Sequence, residues 1–165
     1  MLHLRATEVM SGLHHFVDPA LGAAGDQACY FRLTWGGPAT EILQPLRRAP
    51  MRYAAEGIIY LAGLTADETP CRGTISIDYT RDHKIVYELE LEVAGARYRF
   101  HGEKVDVRPW RPLELAKTHT TCYGTLTAED GRIVSRSVVH FLPASLPAFV
   151  RSFRLTRGAP VSASA

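Results

Sequence analysis

The sequence predicts a mainly β fold: an antiparallel, up-and-down, lipocalin-like barrel with one short helix. Three observations carry this. Long stretches between Gly57 and Leu142 alternate apolar and polar residues with the period of a half-buried strand. Short polar or glycine-containing turns separate these stretches. One hairpin places opposite charges across from each other in a single register.

The elements follow in chain order. The segment up to Ala24 reads as irregular, because Ser11-Gly12, Asp18-Pro19 and Gly22 to Gly25 punctuate it. Cys29 to Trp35 is rich in aromatic and β-branched residues and reads as a strand that Gly36-Gly37-Pro38 stops. Thr40 to Arg48 reads as a short helix, with Thr40 as cap, Glu41 in the first turn and Arg47 and Arg48 in the last, and with Pro45 restricting it to one or two turns or a bend. Gly57 to Leu64 is a continuous apolar strand. Gly73 to Tyr79 puts Ile75, Ile77 and Tyr79 on one face, and Thr80 to His83 is a polar turn. Ile85 to Val93 puts Ile85, Tyr87, Leu89, Leu91 and Val93 on one face.

The next connection fixes a register. A tight turn at Ala94-Gly95 sets Glu92 opposite Arg97, Glu90 opposite Arg99 and Glu88 opposite His101 on the wet face, with Leu91, Tyr98, Leu89 and Phe100 on the dry face. A one-residue slip would drive charges into the core. Each exposed pair contributes only ~0.2–1 kcal/mol, so the pairs specify register more than stability. Pro109 to Leu113 is a loop. Lys117 to Thr127 and Arg132 to Leu142 are strands joined by Ala128-Glu129-Asp130-Gly131. Leu146 to Leu155 reads as a closing strand, with Pro147 at its start or on an edge. About eight such strands favour closure, which removes open edges. Residues 1–157 are thus expected to form one barrel domain and 158–165 a tail with nothing to bury.

Composition narrows the function. The chain has 165 residues, 46% hydrophobic and 22% charged, with a formal net charge of +2. That charge is too small to imply nucleic acid or an anionic membrane surface as partner. No apolar run approaches the ~20 residues of a membrane span. The first residues lack the basic-then-apolar pattern of a secretory signal, so a cytoplasmic location is expected. Cys29, Cys71 and Cys122 are odd in number and widely spaced, as expected of small buried hydrophobes and not of disulfides or a zinc site.

Several segments together resemble the lipocalin-like β-barrel domain found with bacterial cholesterol-oxidase-like members of the glucose–methanol–choline oxidoreductases. They are Met10-Ser11-Gly12, Phe31-Arg32-Leu33-Thr34, Glu41-Ile42-Leu43 ahead of the Gly57 strand, Tyr87-Glu88-Leu89, Tyr98 to Phe100 with Gly102-Glu103-Lys104, Trp110 before His119-Thr120-Thr121, and Leu146, Phe149 and Phe153. The resemblance covers most of the chain and implies association with sterol or lipid chemistry and with a partner oxidoreductase. It carries no catalytic residues to transfer. The chain has no Gly-x-Gly-x-x-Gly after a strand, so it does not itself hold a flavin dinucleotide.

Candidate site residues come from strand parity. Continuing the dry face of Tyr98 and Phe100 through Gly102 directs Lys104 and Asp106 inward near one barrel end, as a polar patch at a pocket mouth, unless they form a rim salt bridge or a bulge turns both outward. His119 and Tyr123 share a face of the next strand, with Cys122 on the other. They form a possible acid–base pair, the alternative being a Thr-rich surface strand. His140 and Arg136 share parity with Val134 and Val138; the opposite face carries Ser135, Ser137, Val139 and Phe141, and both faces are mixed. Trp35, Tyr87, Tyr98, Phe100 and Trp110 are the candidate ligand-binding aromatics, Trp110 as a lid on a Pro-flanked loop. His14-His15 makes a poor metal site without further ligands, and neither a metal nor a cofactor is expected. The expected function is binding of a hydrophobic small molecule (a sterol, lipid or polyketide-like compound). The alternatives are a cofactor-independent cyclase or isomerase using Lys104, His119, Tyr123 and His140, and a structural partner domain with a filled barrel. Ligand identity and homo-oligomerisation stay open.

Overall fold

A computed structural model describes residues 2–42, 50–111, 113–114 and 118–157. Among the described residues nine strands are β1 (Leu2–Phe16), β2 (Gln27–Pro38), β3 (Met51–Leu61), β4 (Thr69–Asp78), β5 (Lys84–Val93), β6 (Ala96–Lys104), β7 (Thr121–Ala128), β8 (Ile133–His140) and β9 (Arg154–Arg157). Each of β1 to β7 pairs antiparallel with the next. β8 returns to pair with Ser11–Phe16 of β1, closing an eight-stranded, lipocalin-like barrel. β9 pairs with the other half of β1, Leu2–Arg5. A four-residue helix α1 (Ala39–Ile42) follows β2, and α2 (Leu146–Ser152) precedes β9. Among the described residues no helix is long and apolar enough to cross a membrane.

The meander has the expected register. Glu92, Glu90 and Glu88 stand opposite Arg97, Arg99 and His101. Ala94 and Gly95 both have positive φ, at 50° and 80°, the geometry that matches a two-residue turn to strand twist. Arg99 approaches Glu90 at 3.9 Å and His101 is bonded to Glu88, but Arg97 turns to Glu129 on the neighbouring hairpin. Ile75, Ile77, Ile85, Tyr87, Leu89 and Leu91 are buried, as their alternation requires.

Five expectations need correction. The first residues are not irregular: β1 is the longest strand and pairs on both sides. Its inward row is Leu4, Ala6, Glu8, Met10, Gly12, His14 and Phe16, and the polar and glycine members obscure the alternation. Gly36-Gly37-Pro38 does not stop β2, because the β1 ladder pairs as far as Pro38. The strand expected from Lys117 begins at Thr121, after a turn at His119 and Thr120. Leu146 to Ser152 is helical: Pro147 fits the first turn, where its missing N–H costs nothing, and the strand that follows starts at Arg154. The helix expected over Thr40 to Arg48 begins at Ala39, so Thr40 lies inside it. Residues 43–49, and the tail 158–165, lie outside the described residues.

The centre of the barrel is filled. Phe31 of β2 reaches across to Tyr87 and Phe100, with ring centroids 5.6 and 5.9 Å apart. Met10, Leu33, Ile59, Leu89 and Leu126 close around them. Phe100 fits because Gly124 on the neighbouring strand β7 has no side chain; a Cβ there would stand 2.5 Å from the Phe100 ring. Each such side chain contributes ~1.5–3 kcal/mol by leaving water. All three cysteines are free and buried, packed as small apolar groups.

Candidate functional site

The inward rows of the strands carry chemistry towards the barrel end formed by the start of β1 and β5 and the ends of β2, β4 and β6. Glu8 follows Ala6 into the interior, and Lys104 follows Phe100 and Gly102. Both are almost completely buried, at 6% and 1% exposure. Lys104 Nζ donates to Glu8 Oε2 at 2.8 Å, and Tyr87 Oη donates to Glu8 Oε1 at 2.7 Å. The ammonium also lies 5.4 Å from the Tyr87 ring centroid. Two opposite charges are therefore held out of water only because each meets the other and both carboxylate oxygens accept a bond. Glu8 and Lys104 come from strands far apart around the wall, so the pair ties the barrel across its interior.

Tyr79 leaves β4 beside this pair, and its hydroxyl is 3.3 Å from His119 Nε2, with the rings 6.3 Å apart. Burial pushes the Tyr79 hydroxyl up to about 12, with the Glu8 charge adding to it. Burial, with the Lys104 charge adding to it, pulls His119 down to about 4. Burial also raises the Cys122 thiol to about 12 and holds the Tyr87 hydroxyl well above its ordinary value. At neutral pH the set is thus one compensated ion pair surrounded by uncharged polar groups. Trp35 stacks on Tyr53 with centroids 5.9 Å apart, at the same end of the barrel. Its indole Nε1 is buried with no hydrogen-bond partner among the described residues.

The structure separates several residues that the sequence grouped. Lys104 points inward, but Asp106 does not: its positive φ of 56° turns it out, where it faces Arg108 at 3.7 Å. His119 and Tyr123 do not share a strand face. His119 precedes β7 and turns inward, while Tyr123 is more than half exposed on the outer surface. His140 is also outside, bonded through Nδ1 to Thr121 Oγ1 at 3.1 Å, and Arg136 lies on the same outer face. The inner face of β8 is the one carrying Ser135, Ser137 and Val139. Tyr123, His140, His15 and Arg136 line an outer groove. The four candidate catalytic residues are therefore split between the two sides of the wall.

The aromatics are split as well. Tyr87 and Phe100 belong to the sealed centre. Tyr98 lines an open cleft of about 820 Å³ with Cys71, Leu91, Arg72, Arg97 and Arg99, which contains none of the buried polar set. Trp110 is half exposed, edge-on to His83. His14 points inward, where Ala62 O accepts from Nε2 at 2.9 Å, and its neighbour His15 is exposed, so the two do not form a pair. Among the described residues no three His, Cys, Asp or Glu side chains are grouped as a metal site. Glu8, Tyr79 and Tyr53 are the members that the sequence did not single out; for Glu8 the available signal was its place in the row Leu4, Ala6, Glu8, Met10, and for Tyr79 its place on the dry face of Ile75 and Ile77.

Among proteins of known family, curated sequence or solved structure, comparison finds no family model, no curated protein and no solved structure that matches this chain.

Proposed function

We propose that the barrel binds a hydrophobic, uncharged small molecule carrying a hydroxyl or carbonyl group, at the end bounded by Trp35, Tyr53, Tyr79 and His119. The observation that carries this reading is the buried Trp35 N–H without a partner among the described residues, at the barrel end that also holds the neutral Tyr79–His119 pair. A buried donor left unpaired costs free energy, and a ligand oxygen there would remove that cost. The centre is packed, with Phe31 against Tyr87 and Phe100, so a ligand would have to sit towards the barrel end. The resemblance to the barrels of cholesterol-oxidase-like proteins supports a sterol or lipid-like ligand and an oxidoreductase as partner.

Binding is favoured over cyclase or isomerase chemistry. A general acid or base works best with its proton affinity near the working pH. His119 at about 4 and Tyr79 and Cys122 at about 12 stand far to either side. They suit donation and acceptance of hydrogen bonds, not proton transfer at pH 7.

Titration with a sterol or long-chain alcohol, followed by native mass spectrometry, tests the reading. Saturable binding is expected, with the matching fatty acid carboxylate bound more weakly because the buried cation at this end, Lys104, is already paired with Glu8. Trp35→Phe keeps the ring stack and removes the donor, so affinity should fall roughly fivefold, the worth of one hydrogen bond. Trp110→Phe should leave it unchanged. Equal affinity of Trp35→Phe and the parent, or preference for the carboxylate, rejects the site.

A further inference from the structure

We infer that α2 and β9 form a docking surface for an anionic lipid bilayer. Charge is distributed unevenly along this chain. From Arg132 to Ala165 there are five arginines and no acidic residue, whereas the first 131 residues carry 14 basic and 17 acidic ones. The small net charge of the whole chain hides this polarity. Three of the five, Arg151, Arg154 and Arg157, lie exposed on α2 and β9, and among the described residues none of them meets a carboxylate.

The local geometry concentrates the positive charge. Arg154 stands directly opposite Arg5 in the β1–β9 ladder, a pairing of like charges that weakens a sheet. Arg5 is answered by Glu56 at 3.1 Å. Among the described residues Arg154 finds only carbonyl oxygens, those of Arg151 and Phe153. An external anion would be stabilised here.

The same unit exposes aliphatic surface. Phe149 and Phe153 face the protein, packed edge-to-face in series with Phe141 at 5.4 and 5.0 Å. Leu146 and Val150, one helical turn apart, are left 51% and 59% exposed, and Leu155 on β9 is 63% exposed. Leu142 ahead of the helix and Leu2 on the paired strand are about half exposed. Aliphatic side chains beside unpaired arginines are the composition of a segment that lies at a membrane interface, with apolar groups among acyl chains and guanidinium groups at anionic headgroups. A nucleic acid would use the arginines and leave the leucines in water. The unit is held rigidly for this, since the Thr7 amide donates to Ser152 Oγ at 2.8 Å and so clamps the end of α2 to β1.

Co-sedimentation of the full chain with phosphatidylcholine vesicles, with and without phosphatidylglycerol, tests the inference independently of any ligand in the barrel. Retention is expected only with phosphatidylglycerol and should fall as salt is raised past ~0.1 M. Arg151→Gln, Arg154→Gln and Arg157→Gln should each weaken retention roughly fivefold, and together by on the order of a hundredfold. Leu146→Ser with Val150→Ser should weaken it at constant charge. These side chains are exposed, so melting temperatures should stay at the parent value, which separates lost docking from lost folding. Equal retention on uncharged vesicles, no retention on either, or binding to duplex DNA with the same arginine dependence but without the Leu146 and Val150 dependence overturns it.

Discussion

Glu8→Ala lowers the stability of the fold by about 3–5 kcal/mol, read as a shift of the urea midpoint at pH 7 with unchanged slope. The reason is what remains. Removing the carboxylate leaves the Lys104 ammonium, 1% exposed, without its 2.8 Å partner, and leaves the Tyr87 hydroxyl without its acceptor. A domain of this kind is stable by only about 5–15 kcal/mol, so the loss is a large part of the total. Glu8→Gln should cost less, because an amide oxygen still accepts one bond. The double change Glu8→Leu with Lys104→Met should recover most of the loss, since a buried ion pair often holds a fold no better than well-packed apolar groups do. The exposed Arg99–Glu90 pair provides the contrast: Arg99→Ala should cost under ~1 kcal/mol. A Glu8→Ala penalty as small as that of Arg99→Ala would mean that the pair is not buried as described.

That pair also marks where the sequence could be read and where it could not. From β4 to β6 the inward residues are nearly all apolar and most outward ones polar, so parity alone gives strands, faces and the β5–β6 register, whereas both faces of β8 are mixed and its inner one carries Ser135 and Ser137. β1 breaks the pattern at the positions that matter for the site. Its inward row includes a carboxylate, a glycine and an imidazole, each placed there by a specific partner: Lys104 for Glu8, close approach of β8 for Gly12, and the Ala62 carbonyl for His14. Pairing across the whole barrel decides such a strand, and no local window contains that information.

Parity failed elsewhere for a different reason. It holds only while the chain stays extended. Lys104 is the last residue of β6 and keeps its face, but Asp106 lies beyond a change of backbone conformation and loses it. His119 precedes the first residue of β7, so its direction is set by the turn. At the C-terminus the signal was present: Leu146, Phe149, Val150 and Phe153 recur at helical spacing, with Pro147 in the first turn. Continuous apolar character outweighed that spacing in the strand reading.

Acidification from pH 6.5 to 4 should destabilise the protein by on the order of 2–3 kcal/mol through His119 alone. Burial, with the Lys104 charge, holds His119 at about 4 in the fold. In the unfolded chain it titrates near 6.5. Between those values the unfolded state binds the proton that the folded state refuses, so stability rises with pH through this window and is fully present above it. Burial lowers His14 too, against the Ala62 bond that raises it, and adds a term of the same sign. His101 opposes both: burial lowers it, but Glu88 and Glu103 outweigh that and hold it raised. Its stabilisation is complete below 6.5 and is lost as pH climbs through its folded value. His119→Gln keeps a polar group against Tyr79 and cannot charge. Urea midpoints measured from pH 7 to pH 4 should therefore fall much less steeply in His119→Gln than in the parent, whatever the variant's stability at pH 7. Parallel pH profiles would place His119 in water and away from Lys104, and would remove the neutral pair on which the proposed ligand site depends.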